Sequence, residues 1–409
     1  MIPRPLERSS GALALDPSHA PSHLLLKLIY IATLNVHKFN LERGHKSELI
    51  LRDFSQIDAI LLSSHESFKS TPRRFQDSAS AARHDETMRV HHLNCGSFCP
   101  FGGRLMDGRT KGVRPARLVC HTLLIETDQG LVLVDTGLGL QDARQPRARM
   151  AEFFIDLLRP TLTEDETAIR QIEKLGFKAD DVRHIVLTHL DFDHAGGLSD
   201  FPQAQVHLLA AEFRAATHVK SLLDIGRYRP AQWSGTGHWK KYSAGGDRWF
   251  GFDAVRDLAG LPPDILLIPL IGHTWGHSGV AVHDGTRWLL HAGDAYFYRN
   301  EMNWAQPACT PGLRLYQRMM EVDRRARLRN QRRLRELGRD HGDEVTIFSA
   351  HDRTEFDQLR AASEARERPL LTERRHELRE PSPSAERASE GPSGRPERHE
   401  SSETTSDLL

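Results

Sequence analysis

Seven side chains in this sequence are of types that bind metal ions, and each follows directly on an apolar run. After IVLT comes His189-Leu190-Asp191-Phe192-Asp193-His194; after ILLIPLIG comes His273; after RWLLHAG comes Asp294; after VTIFSA comes His351. Strand ends along one edge of a sheet can converge on a point, and imidazole mixed with carboxylate is a ligand set that zinc, iron or manganese accepts. The chemistry to expect is therefore that of a metal centre. The glycine pair Gly196-Gly197 behind His194 fits a tight turn that lets the backbone come close to such a centre.

Positioning these residues requires a succession of strands. ARLVCHTLLIET and GLVLVDTGLG read as two strands joined by the turn DQG, and DVRHIVLTHL reads as a buried strand. QAQVHLLA, DILLIPL, VAVHD, RWLLHAGD and EVTIFSAHD add five more, with AAEFRAATH as one of the helices between them. TEDETAIRQIEKLG predicts a helix opened by a capping box, Thr163 with Glu166, and closed at Gly176. No internal repeat is visible. Many strands and hairpins with interspersed helices predict a layered α/β fold with two sheets and outer helices.

The chain has 409 residues, and its 55 Lys and Arg balance its 55 Asp and Glu, so no overall field drives it onto nucleic acid or an acidic membrane. Cys95, Cys99, Cys120 and Cys309 are too few and too irregular for a disulfide scaffold. The start MIPRPLERSS lacks a signal-peptide pattern. The longest apolar run, LLLKLIYIATL, is too short to span a bilayer and contains Lys27. A cytoplasmic protein is expected, with a small-molecule substrate, no nucleic-acid or membrane partner, and an open oligomeric state. Residues 1–87 show no sustained period, MRVHHLNCGSFCP from Met88 opens the folded domain at 88–365, and 366–409 is rich enough in Ser, Pro, Glu and Arg to predict a disordered tail.

THLDFDHAGGL, IGHTWGHS, HAGDA and SAHD resemble the motif series of the metallo-β-lactamase superfamily of metal-dependent hydrolases over roughly Met88 to Ala365, and lie closest to its lactonase and hydroxyacylglutathione hydrolase branches. The resemblance implies a four-layer αββα sandwich with two divalent ions, zinc first and iron or manganese as alternatives, in the cleft at the sheet edges. It assigns His189, residue 191 and His273 to one ion, Asp193, His194 and His351 to the other, and Asp294 to both. Asp135, in the strand-end Asp135-Thr136-Gly137, would orient a ligand histidine. A metal-bridging hydroxide would then attack an ester, lactone or thioester, with Asp193 and Asp294 as the catalytic carboxylates. The departure is Asp191, where the family's His-x-His-x-Asp-His has histidine. Three carboxylates against two divalent ions and a hydroxide sum to about zero, where two leave about one positive charge, so a less electron-poor site leaning to iron or manganese is expected. The alternatives are a di-iron redox enzyme of flavodiiron-like type and a nucleic-acid-processing member.

Around this core, Tyr296 and Tyr298 follow Asp294, where lactonase-like members place a tyrosine that polarises a carbonyl. The stretch from Arg227 to Asp253 supplies Trp233, Trp239, Tyr242 and Trp249 as candidates for the cleft wall. His277 and His291 read as structural histidines, Cys95 and Cys99 as a loop beside the cleft, and RRARLRNQRRLREL as a helix with arginines on all sides and a solvated face.

Overall fold

A computed structural model of the chain describes residues 88–377 apart from 113, 247 and 253–255. Among the described residues eleven strands form two sheets. The first contains β1 (Arg89–Phe98), β2 (Leu118–Thr127), β3 (Gly130–Val134), β4 (Val182–Val186), β5 (Gln205–Leu209) and β6 (Trp239–Tyr242) in sequence order. Its first three strands are antiparallel and the rest run parallel. The second runs β11-β10-β9-β8-β7, with β7 (Arg256–Asp257), β8 (Ile265–Pro269), β9 (Ser278–His283), β10 (Trp288–His291) and β11 (Val345–Phe348). Only its β10–β11 pair is parallel.

Composition explains the layering. The first eight residues of β2, LVCHTLLI, are all buried, as a strand covered on both faces must be. On one side helix α1 (Ala168–Lys174) inserts Ala168 and Ile172 among Leu93, Leu124 and Leu133. The second sheet is covered by the helix Arg324–Asp340, whose Leu334 and Leu337 pack on Leu290 and Val345. Between the sheets, His291 Nε2 donates to the His121 carbonyl at 2.6 Å, and the Ser278 amide donates to the Thr188 carbonyl at 3.0 Å. The result is the expected αββα sandwich.

Several expectations need correction. The helix expected from Thr163 starts at Ala168 instead: residues Glu164–Glu166 make a single 3-10 turn, and the Glu166 carboxylate accepts from Ser97 and Thr161 rather than closing a capping box. A tertiary bond to β1 wins over the local cap. Strand β6 was not anticipated, because WKKY has only four residues and its two lysines mark it as an edge. The tail expected to be disordered from 366 is helical as far as Glu377, in the helix Arg353–Glu377; apart from Pro369, Thr372 and His376 that stretch is built of good helix formers. Contacts divide the chain after Gln358, and the first unit carries both sheets. The expected extension 1–87 and the tail beyond 377 lie outside the described residues. Among the described residues no helix is long and apolar enough to cross a membrane.

Candidate metal centre

The seven residues picked out by type come together at one end of the sandwich, all buried. Four follow β4, His273 follows β8, Asp294 follows β10 and His351 follows β11, so both sheets contribute. Asp294 lies in the middle. Its Oδ2 is 3.2 Å from His273 Nε2 and 3.8 Å from His189 Nε2, whereas its Oδ1 is 3.0 Å from His351 Nε2 and 3.4 Å from His194 Nε2. Asp191 Oδ2 adds to the first group, 3.5 Å from His189 and 3.1 Å from His273, and Asp193 Oδ2 to the second, 3.6 Å from His351. A tetrahedral ion with bonds of about 2.1 Å separates its ligand atoms by about 3.4 Å, which is the spacing found here.

Three of the four histidines are aimed by bonds to their other nitrogen, and His273 Nδ1 has no such partner. His194 Nδ1 donates to Asp135 Oδ2 at 2.8 Å, His189 Nδ1 to the Thr188 hydroxyl at 2.9 Å, and His351 Nδ1 to the Val119 carbonyl at 2.7 Å. The Thr188 hydroxyl in turn donates to Asp135 Oδ2 at 2.8 Å and its amide to Oδ1 at 2.7 Å, so a single carboxylate orients two rings of the cluster. Asp135 occupies the left-handed region, φ 60°, as β3 ends. Two residues on, a Cβ at Gly137 would lie 2.1 Å from the Cys95 carbonyl oxygen, so only glycine passes. Gly196 is needed for closeness rather than for φ, since a Cβ there would lie 2.2 Å from Asp142 Oδ2. With Nδ1 so engaged, Nε2 of His189 and of His194 is left without a hydrogen-bond partner, as is Asp294 Oδ1. Orphaned buried donor atoms that face one another fit a cation.

The charges agree. Burial would raise the Asp294 carboxyl, but His351, His194 and His273 hold it well below the usual range. Burial would lower His194, yet Asp294, Asp135 and Asp193 hold it well above. His189 is pushed down to about 4, by burial first and then by His194. Asp193 is raised by burial despite His194 and His351. The carboxylates and imidazoles of the cluster thus set one another's charge.

Residues around the cluster divide sharply. His277 Nδ1 donates to the Leu270 carbonyl and its Nε2 accepts the Asp294 amide at 2.8 Å, a structural role that places Asp294. Tyr296 is turned away from the site: it is fully buried and its hydroxyl donates to Glu355. Tyr298 lines a cavity of about 190 Å³ beside His351, together with Phe297, Arg109, Arg117, Arg299 and Arg353. Trp233 and Trp239 are not cleft residues; they meet edge to face, 6.3 Å apart, in the core beneath the first sheet. Trp249 packs with Phe252 beside the second sheet, and the Tyr242 hydroxyl pairs with His207 at 2.8 Å. Trp233, Trp239, Tyr242 and Trp249 thus anchor the stretch from Arg227; they do not wall the site. The arginine-rich helix is not simply solvated either, since Arg327 is buried against Glu321 and Gln317.

Four contributors were missed. Arg227, fully buried, donates from Nη2 to Asp191 Oδ2 at 2.8 Å. Glu212, in helix α2 (Ala210–Thr217), accepts from the Leu190 amide, the Thr274 hydroxyl and the Gly276 amide, fastening the first ligand loop to the one that carries His273. The Cys120 thiol stands with Asp193 and His351, kept protonated by burial. Tyr316, half-buried against Phe297 with ring centroids 5.6 Å apart, is raised by burial and by the carboxylates of Asp193, Asp191 and Asp294. Spacing gave no signal for any of them, because each reaches the site across the fold.

Two sheets, outer helices and a histidine–carboxylate cluster at the strand ends define a metal-dependent hydrolase. The chain belongs to the metallo-β-lactamase superfamily, whose family profile matches residues 116–351. Probable metallo-hydrolases of Mycobacterium tuberculosis and Mycobacterium bovis are each 43% identical over 267 residues, 65% of this chain and 80% of theirs. An N-acyl homoserine lactonase of Bacillus thuringiensis is 29% identical over 128 residues, 30% of this chain and 50% of its own. A solved N-acyl homoserine lactone hydrolase, with N-hexanoyl-L-homoserine at its catalytic metal centre, shares the fold at a TM-score of 0.50 and 20% identity, over 67% of this chain and 97% of its own.

Proposed function

We propose that the chain hydrolyses an ester, lactone or thioester at a dinuclear centre held by His189, Asp191, His273 and Asp294 on one side and Asp193, His194, His351 and Asp294 on the other. The observation that carries this reading is the division of Asp294, one oxygen toward each histidine pair. Divalent ions there, zinc first, would acidify a water and offset charge growing on a carbonyl oxygen. The chain's own groups supply the rest. Asp193, slightly accessible, can take up and return a proton through its free carboxylate oxygen. The Tyr316 phenol stays protonated and can donate to the substrate carbonyl, the role expected at Tyr296 or Tyr298. Phe297 stacks on His351 with centroids 5.1 Å apart and limits water on that side, and the cavity beside it can seat the substrate.

The lactonase likeness puts lactones first, and the four free cysteines suit a reducing cytoplasm. The folded hydrolase would begin near Met88 and reach the last helix. The test is metal content of the purified protein together with rates on matched lactones, esters and thioesters. About two equivalents of metal, with turnover lost on chelation and regained on adding zinc, is the expected result. Metal without turnover on any carbonyl substrate would overturn the substrate class, and absence of metal would overturn the centre.

A further inference from the structure

Asp191 brings a negative charge to a position where the family motif has a neutral imidazole, and the chain supplies a positive charge at the same point. Arg227 ends helix α3 (Leu222–Arg227) and is 0% exposed. Its Nη2 donates to Asp191 Oδ2 at 2.8 Å and lies 3.0 Å from His273 Nε2. Its Nη1 donates to the carbonyls of His273, at 3.3 Å, and Met320, at 3.1 Å. The guanidinium is thus pinned to Asp191 and His273, two residues of this subsite, and to a third segment, in a fork that lysine has no second nitrogen to make. A guanidinium so deeply buried is tolerated only with its charge paired, and Asp191 is the carboxylate it meets.

We propose that Asp191 and Arg227 form one composite ligand: a carboxylate oxygen whose charge the guanidinium cancels, standing in for the family's neutral histidine. The proposal rests on the reading that this cluster holds metal ions. Relative to the usual ligand set, Asp191 adds one negative charge and Arg227 one positive, so the net charge is unchanged. The lean toward iron or manganese argued from three carboxylates alone does not follow once Arg227 is counted. Arg227 is a positioning residue. It sets the charge and orientation of a ligand and does not touch substrate.

If the pair is a unit, changing Asp191 alone should do more harm than changing both. Asp191→His restores the family residue but leaves the buried guanidinium unpaired beside the first subsite. Asp191→His/Arg227→Leu removes that charge and fills the space with an apolar side chain. The measurement is metal content by mass spectrometry and metal affinity by chelator competition, with melting temperature as a check on folding. The expected result is about two equivalents in the parent, about one in Asp191→His with at least tenfold weaker binding, and a return to about two in the double variant. A rescue of this kind is not open to an arginine that merely packs, because its removal adds a second defect. The proposal is overturned if Asp191→His keeps both ions with Arg227 in place, or if the double variant binds no better than Asp191→His. It is equally overturned if the double variant fails to fold, since Arg227 would then have a structural duty independent of Asp191. A parent protein that binds no metal would instead remove the underlying reading.

Discussion

Asp135→Asn isolates the contribution of a single charge to the centre. Asparagine has the same shape and tolerates the left-handed backbone that Asp135 adopts, so the main chain is not disturbed. The carboxylate accepts three bonds: the Thr188 amide on Oδ1, and the Thr188 hydroxyl and His194 Nδ1 on Oδ2. An amide has only one oxygen. Turned toward His194 it presents its NH2 to the Thr188 amide, and turned the other way it presents its NH2 to the His194 ring. Either orientation sets donor against donor. Loss of a partner behind a ligand histidine costs roughly 10–100-fold in metal affinity, which is about 1.4–2.8 kcal/mol. Because Thr188 also carries the bond to His189, both subsites should weaken. Competition with a chromophoric chelator reads the affinity, and unfolding of the metal-free protein separates metal binding from stability. Affinity within about threefold of the parent at both subsites would refute the argument that Asp135 aims the two rings.

Glu212→Ala leaves the Leu190 amide, the Thr274 hydroxyl and the Gly276 amide without their acceptor, at about 1–3 kcal/mol for an unpaired buried group. The melting temperature should fall by several degrees and metal affinity with it, and an unchanged thermal scan would contradict the fastening role. Tyr316→Phe should lower kcat on a lactone by roughly 100–1000-fold, on the scale of one lost donor to a developing oxyanion, with metal content and melting temperature intact; loss of metal instead would make the tyrosine structural. Glu355 is pushed up to about 8 by burial and by Asp352. Its folded pKa exceeds its unfolded value, so the folded state binds the extra proton and its contribution to stability is lost as pH rises toward 8. Glu355→Gln should therefore flatten the fall in melting temperature between about pH 5 and 8, and an equal slope in both proteins would exclude this carboxyl as the source.

The ligand types were legible because metal-binding side chains stood at the ends of uninterrupted apolar runs, and those runs were long enough to mark strands β2 to β5 and β8 to β11. What was not legible depends on distance across the fold. Arg227 stands 36 residues from Asp191 in the chain, in a stretch where tryptophans drew attention toward a cleft wall. Those aromatics, Trp233 and Trp239 among them, satisfy the same type pattern whether they line a cleft or fill a core, and only the packing decides. Tyr296 and Tyr298 illustrate the limit at one-residue resolution: both follow Asp294, yet Tyr296 points into the second sheet's core and Tyr298 onto the cavity beside His351. The Thr163 cap failed for a related reason, since its partner Glu166 was drawn away by Ser97 on a strand 69 residues earlier.

The seven side chains proposed as ligands are divided between the two sheets, four from the first and three from the second, with Asp294 of the second facing histidines of both. The centre is therefore assembled only by docking of the halves, and any ion bound there is a clamp that closes a chain loop from His189 to His351. A clamp of this kind acts on the unfolded chain as a cross-link would, by withdrawing freedom from it. Loss of metal and loosening of the seam between the sheets should then be one event seen by two instruments. Destabilising changes along the seam, at the His291 to His121 contact for instance, become changes at the proposed centre.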